Sequence, residues 1–211
     1  MAYDLEEQEQ LDAIKAWWAR YGMLIIALAA VVALAWGIGW SWKAYQAHRA
    51  NQAMGYFEAL EDAVQLGGPD SPARIKKAAV TLRSEYPTTG YAARGALVAA
   101  QALQAQSDLQ GAREQLEWLV QQSYHAALQP VARLHLAGLL LDQKQYEAAL
   151  AQLNNAPEAF AALFADRRGD VLQAQGQREL ARAAWQSAIK GLPANDSFAQ
   201  IIQLKLDALA G

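Results

Sequence analysis

From Tyr21 to Trp42 the chain carries no charged residue, and Arg20 and Lys43 close the stretch on its two sides. At about 1.5 Å per residue of helix this stretch reaches roughly 33 Å, enough to cross a hydrocarbon core of roughly 30 Å. Five of the seven tryptophans lie in or beside it: Trp17 and Trp18 at one end, Trp36, Trp40 and Trp42 towards the other. Tyr21 and Tyr45 stand near the two ends. Amphipathic rings prefer the headgroup level, so Trp17, Trp18, Tyr21, Trp40 and Trp42 are expected at the membrane interface. The stretch is read as a single transmembrane helix over 21–42, with a tail over 1–20 and a water-soluble domain over 43–211.

Ala33-Leu34-Ala35 has the small-x-small form of a signal-peptide cleavage site. A signal peptide, however, has a basic leader and an apolar core of only about 7–15 residues. Here the first twenty residues hold five acids (Asp4, Glu6, Glu7, Glu9, Asp12) against Lys15 and Arg20, and the apolar run is longer. An uncleaved signal-anchor fits better. The flanking bases do not orient it, because Lys15 and Arg20 balance Lys43 and Arg49. A long domain can be exported whatever its charge, which would leave the tail in the cytoplasm.

Everything after the span is large enough for one domain with its own core. From residue 51 onward 14 basic and 16 acidic side chains are spread without blocks, and the densest basic cluster is Arg74, Lys76 and Lys77. A phosphate-binding surface needs clustered bases to displace counterions, so a nucleic acid is not an expected partner. With no cysteine, disulfides and thiolate metal sites are excluded.

The domain reads as all-α. Alanine, leucine and glutamine dominate after residue 50, while threonine is confined to Thr81, Thr88 and Thr89. Gly67-Gly68-Pro69-Asp70 forms a turn, Ser71-Pro72 offers an N-cap with proline at the first helical position, and Tyr86-Pro87 stops that helix. Pro130 and Pro157 each open a helix, and Gly191 with Pro193 closes a late one. Helices of roughly 12–18 residues with short loops follow.

These helices repeat. Ala112, Ala149 and Ala181 fall 37 and 32 residues apart, close to the tetratricopeptide period of about 34. In register with them stand Ala100, Ala137 and Gly169, then Leu103, Leu140 and Leu172. Leu116, Leu153 and Trp185 form a further row, and Leu119, Ala156 and Ala188 another. Small residues let paired helices touch, and large ones fill the groove between pairs. Ala78 and Leu82 place a degenerate pair before the first full one, with its leading helix near 50–66. Phe198, Ile201, Ile202, Leu206 and Leu209 mark an amphipathic helix that caps the open end. The fold class is therefore one transmembrane helix followed by a tetratricopeptide-like helical-repeat solenoid.

Chemical motifs are missing from this sequence. His48, His125 and His135 form no His-Glu-x-x-His pair, so no zinc site is expected. Gly37-Ile38-Gly39 lies inside the span, and no nucleophile elbow or phosphate loop occurs. Asp166 and Asp170, one helical turn apart, form an acid–base couple in principle, but Arg167 and Arg168 beside them favour a solvated charge face. A binding scaffold without catalytic residues, cofactor or metal is expected. In stacked helix pairs the first helix of each pair builds an inner wall. That wall should display Arg94, Leu97 and Gln101, then Leu134, His135, Gly138 and Asp142, then Asp166, Arg167 and Asp170. Leu97 and Leu134 stand where a clamp for a terminal carboxylate wants charge, so the groove suits extended or partly unfolded segments better. The same leucines equally suit packing against neighbouring helices. Within the span Ala29, Ala33 and Gly37 fall four apart on one face, a spacing that lets another membrane helix approach. Leu11, Ile14, Trp17 and Trp18 of the tail are placed to lie along the interface.

With span, tail and repeats together, the chain resembles the YfgM-like family of ancillary SecYEG translocon subunits, periplasmic tetratricopeptide-repeat chaperones. Glu9-Gln10-Leu11-Asp12-Ala13-Ile14-Lys15-Ala16-Trp17-Trp18, followed by Tyr21-Gly22, is similar to the family's N-terminal signature. Ala165-Asp166-Arg167-Arg168-Gly169-Asp170 resembles its Asp-x-x-Gly-Asp/Glu segment, with Gly176 and Ala181-Arg182-x-Ala-Trp185 after it. The resemblance implies a single-pass type II inner-membrane protein, N-terminus cytoplasmic and repeat domain periplasmic. It implies association with the SecYEG translocon and with a membrane-anchored periplasmic peptidyl-prolyl isomerase. The role implied is binding unfolded exported proteins and handing them to periplasmic chaperones. The alternative for the same groove is a scaffold for a specific envelope-assembly or signalling partner.

Overall fold

The computed structural model describes residues 3–193 and 196–210, with side chains placed from residue 10 to 209 within those bounds. Residues 1, 2 and 211, the outer ends of the expected tail and domain, lie outside the described residues. Among the described residues there are nine α-helices, two short 3-10 turns and no strand. The chain divides into two compact units, Met1–Arg49 and Ala50–Gly211. Helix α1, Tyr3–Leu66, gives its residues up to Arg49 to the first unit and those from Ala50 to the second.

In the first unit no proline interrupts the helix, and its backbone bonds are satisfied along its own axis. Its apolar side chains have nothing to pack on: Met23 is 85% exposed, and Leu24, Ile26, Leu28, Val31, Val32 and Leu34 are exposed too. A helix that is apolar all round and unburied requires an apolar surrounding, and α1 is long and apolar enough to cross a membrane. The aromatic rings gather at both ends of the span. Trp17 packs at a tilt against Tyr21 at 5.8 Å and Trp42 against Tyr45 at 6.0 Å between ring centroids. Trp18 lies over Gly22, where a Cβ would come within 3.1 Å of the indole.

In the second unit the helices that follow α1 pack each on the next. The end of α1 is followed by α2 (Ser71–Glu85), α3 (Gly90–Ala105) and α4 (Leu109–Gln121). Next come α5 (Gln129–Asp142), α6 (Tyr146–Gln152), α7 (Ala161–Ala174), α8 (Arg178–Lys190) and α9 (Ser197–Ala210). Local chemistry sets the boundaries. Thr89 caps α3 by accepting from the Ala92 amide at 3.3 Å, and Asp108 caps α4 by accepting from Gly111 at 3.0 Å. Ser71, expected as the cap of α2, is instead its first helical residue behind Asp70. Its hydroxyl turns inward and donates to the Ala63 carbonyl at 2.7 Å, sewing α2 to the end of α1.

The aligned alanines Ala112, Ala149 and Ala181 are all fully buried, as are Leu103, Leu119, Leu153 and Ala188. Close helix approach occurs where small residues were expected. At Gly169 a Cβ would collide with the Trp185 ring. At Gly95 a Cβ would lie 2.7 Å from a Leu82 methyl, a less severe approach to a more flexible neighbour. Each turn between paired helices closes in one way. The amides of Asp108, Gln145 and Gln177 donate back to Leu103, Leu140 and Leu172 at 2.8, 2.8 and 2.9 Å, with Ser107, Lys144 and Gly176 left-handed at φ 63, 60 and 80°. That is a Schellman closure repeated at the period of the alanines.

Three further expectations need correction. Ala156 is exposed, because α6 ends at Gln152 after seven residues. Asn155 turns left-handed at φ 50° and Pro157 starts a new turn, so the helix does not reach the register position that buries Leu119 and Ala188. Ile201 is 52% exposed, while Ile202 and Leu209 are the residues by which α9 buries itself against Leu172, Ala181 and Trp185. Helix length departs from the expected 12–18 residues in α6, which has 7, whereas the other helices from α2 to α9 run from 13 to 16 residues.

Candidate functional site

The residues expected on an inner wall lie on α3, α5 and α7. On α3, Arg94 and Gln101 are exposed and Leu97 is half-buried. On α5, His135 and Asp142 are exposed, and Leu134 and Gly138 are half-buried. Leu97 and Leu134 both pack partly on the core while keeping part of their surface in solvent. Asp142 joins this helix to α3 by accepting from the Gln104 amide at 3.4 Å.

The third helix behaves differently. Asp166 is only 7% exposed, which excludes the reading of Asp166 and Asp170 as a solvated charge face. Lys205 of α9 lies between them, its Nζ 2.7 Å from Asp166 Oδ1 and 2.6 Å from Asp170 Oδ1. Arg167 Nη1 approaches the other Asp170 oxygen at 3.7 Å, so two cations meet two carboxylates. The Trp185 indole N–H donates to the Asp166 carbonyl and to Asp170 Oδ1, both at 3.2 Å. Burial raises the Asp166 carboxyl above the usual range, against the hydrogen bond from Lys205. Here the positions expected on the wall are met by the chain's own last helix.

Arg167 also reaches α5. Its guanidinium lies where a Cβ on Gly138 would meet it at 3.6 Å, an ordinary contact. Partial desolvation of the ring, helped by the Arg167 charge, holds His135 below the usual imidazole range although the residue keeps much of its surface in solvent. The structure thus gathers His135, Arg167, Asp166 and Asp170 about one network, while Arg94, Leu97 and Gln101 stand apart on α3. Lys205 and Trp185 complete the network, two residues outside the expected wall. The one signal for Lys205 was a lysine inside the apolar run of α9.

A second feature follows from the short α6. Its terminal carbonyls are met by arginines from both neighbouring helices. Arg133 donates through Nε to Gln152 at 2.7 Å and through Nη2 to Asn154, and Arg168 donates to Leu153 at 2.6 Å. Arg133 also lies over the Phe164 ring, 5.0 Å from its centroid. Beside these arginines a cleft of about 620 Å³ opens between α6, α7 and α8.

In the first unit, Trp17, Trp18, Tyr21, Trp40 and Trp42 are all exposed on α1. Ala29 and Ala33 are exposed with them and Gly37 nearly so, leaving the small-residue line open along the helix.

A helix able to cross a membrane and a domain of paired, Schellman-closed helices define a membrane-borne tetratricopeptide-like protein. Residues 15–211 match the tetratricopeptide repeat-like domain family. The chain is 31% identical over 211 residues, 99% of its length and 100% of the relative's, to an ancillary SecYEG translocon subunit of Neisseria gonorrhoeae. It is 32% identical over 208 residues, 97% of each chain, to the subunit of that name in Escherichia coli. To the one in Haemophilus influenzae it is 28% identical, over 89% of this chain and 91% of the relative. The chain belongs to the family of ancillary SecYEG translocon subunits.

Proposed function

We propose that this protein is a non-enzymatic adaptor and holdase anchored beside the Sec translocon. It receives unfolded secretory or outer-membrane chains as they emerge and passes them to periplasmic chaperones. The N-terminal tail is cytoplasmic and the repeat domain periplasmic, in a single-pass inner-membrane protein. A membrane-anchored periplasmic peptidyl-prolyl isomerase is a second partner. The observation that carries this reading is the half-open face of α3 and α5, where Leu97 and Leu134 keep apolar surface in solvent among Arg94, Gln101, His135 and Asp142. Such a mixed surface suits extended segments of varied sequence. The names of the relatives supply the neighbourhood. Anchoring near the exit raises the effective concentration of the groove, so weak affinity suffices.

The test is in-cell photocrosslinking from Leu134 and from Ala33, read by mass spectrometry. Leu134 should capture many exported chains and Ala33 a translocon subunit. One stoichiometric folded partner at Leu134 would favour a scaffold instead. The chain contains no cysteine, so single cysteines at Ala13 and Ser187 read the topology directly. Labelling of Ala13→Cys by an impermeant reagent in intact cells would reverse the proposed orientation.

A further inference from the structure

The cleft beside α6 is distinct from the inner wall. α4 and α8 each have 13 residues, whereas α6 has seven, and the space its missing turns would fill is the cleft. Its floor is apolar, built by Leu150, Leu153, Phe164, Leu172 and Leu180, and Leu180 is 55% exposed at its edge. Arg168 is the one charged residue on its lining, half-buried and bonded to the Leu153 carbonyl. No carboxylate among the described residues forms an ion pair with Arg168 or with Arg133 behind it. The Arg168 guanidinium on the lining therefore biases this apolar site toward an anion. Asn154, Asn155 and Ser187 also line the cleft and offer amide and hydroxyl groups that match peptide bonds.

We propose that this cleft binds a short apolar peptide segment carrying an acidic side chain, whose carboxylate meets Arg168 while its neighbouring apolar residues fill the space left by α6. The inference rests on the proposed handling of exported chains and names a sequence preference for them. Apolar contacts supply the affinity, and the charge-assisted hydrogen bonds to Arg168 supply the selection.

The test uses the full-length chain in phospholipid nanodiscs. The probe is a fluorescein-labelled peptide centred on Leu-Glu-Phe-Leu, compared by anisotropy with its Gln-for-Glu twin. The Glu peptide should bind saturably and about tenfold more tightly than the twin. Ala161→Trp, at an exposed position on the lining, should weaken that binding by at least about tenfold with helical circular dichroism unchanged. Arg168→Gln should bring the two peptides level. Equal affinities in the unaltered protein, or indifference to Ala161→Trp, would overturn the proposal. So would displacement of the peptide by decanoate at stoichiometric amounts, which would assign the cleft to a fatty acid. If Leu134 still crosslinks to exported chains while the cleft binds nothing, only this inference falls. If Leu134 captures none, the functional reading falls on its own.

Discussion

The second and third helix pairs carry the same rows of small and large residues, yet they close over their cores differently. In the third pair, α7 and α8, Gly169 and Trp185 occupy the rows held by Ala137 and Leu153 in the second. A larger side chain is met by a smaller one, and Trp185 packs directly on the Gly169 backbone. In the second pair, α5 and α6, the second helix stops early, arginines take over its terminal carbonyls, and a cleft remains. One pair has spent its second helix on packing, while the other leaves a surface that is half core and half site.

The most direct way to break this contrast is to empty the third pair. Trp185 is 4% exposed and sits among Leu172, Ala181, Ala188 and Ile202. Trp185→Ala should cost about 3–5 kcal/mol in urea denaturation of the domain from Ala50 onward, because the cavity cannot collapse between α7 and α9. Leu180→Ala, on the rim of the cleft, should stay within about 0.5 kcal/mol. Equal losses at the two positions would mean that the cleft rim is as much core as the Trp185 site.

Next in size is the lock between α9 and α7. Lys205→Met leaves the buried Asp166 without its cation and should cost about 2–3 kcal/mol, less than a fully buried pair because Lys205 is itself partly solvated. The pH dependence has a definite sign. The folded protein holds the Asp166 carboxyl above its unfolded value, so the folded state binds more protons between those two values. The contribution of Asp166 to stability therefore falls as pH climbs from the ordinary carboxylate range to the raised one. Asp166→Asn should flatten that stretch of the denaturation-midpoint profile. His135 acts oppositely. Its folded value is lowered, so its contribution is full above about pH 6.5 and is lost as pH falls below that.

Smaller again is the coupling between Gly169 and Trp185. Gly169→Ala should cost about 1–3 kcal/mol through overpacking, since its Cβ would lie 2.8 Å from Trp185 Cε2. Gly138→Ala meets only ordinary contact with Arg167 and should be neutral or gain slightly from helix propensity. The double variant Gly169→Ala with Trp185→Leu recreates the small–large pairing of the second repeat. It should recover most of the loss of either single change, a coupling that a double-mutant cycle reads directly.

Much of this architecture was legible because it depends on local pattern. The span needed only an uncharged run with aromatic ends, and the repeats needed only alanines at a fixed step. Ala112, Ala149 and Ala181 were read as contact points and are fully buried. What failed was the assumption that register implies continuation. Ala156 stands in line with Leu119 and Ala188, but Asn154-Asn155 and Pro157 end the helix before reaching it, a turn chemistry that outranks periodicity. The candidate wall was legible as a set of positions on α3, α5 and α7. Its occupation by Lys205 was not, because that contact spans 39 residues to Asp166 and a lysine within the apolar run of α9 does not name its partner.

The repeated turn offers the finest test of how alike the pairs are. Ser107, Lys144 and Gly176 share one left-handed conformation, yet only the last is the residue that adopts it freely. Neither Ser107 nor Lys144 advertises that conformation, because the Schellman bonds from Asp108 and Gln145 hold the chain there whatever the side chain. The strain must then be present in the first two turns and absent from the third. Lys144→Gly should raise stability by about 0.5–1 kcal/mol, the relief of strain being partly offset by the extra freedom glycine gives the unfolded chain. Gly176→Ala should lower it by about 1 kcal/mol. If the two changes moved the denaturation midpoint in the same direction, the three turns would not be equivalent, and the repeat would be a likeness of spacing without a likeness of structure.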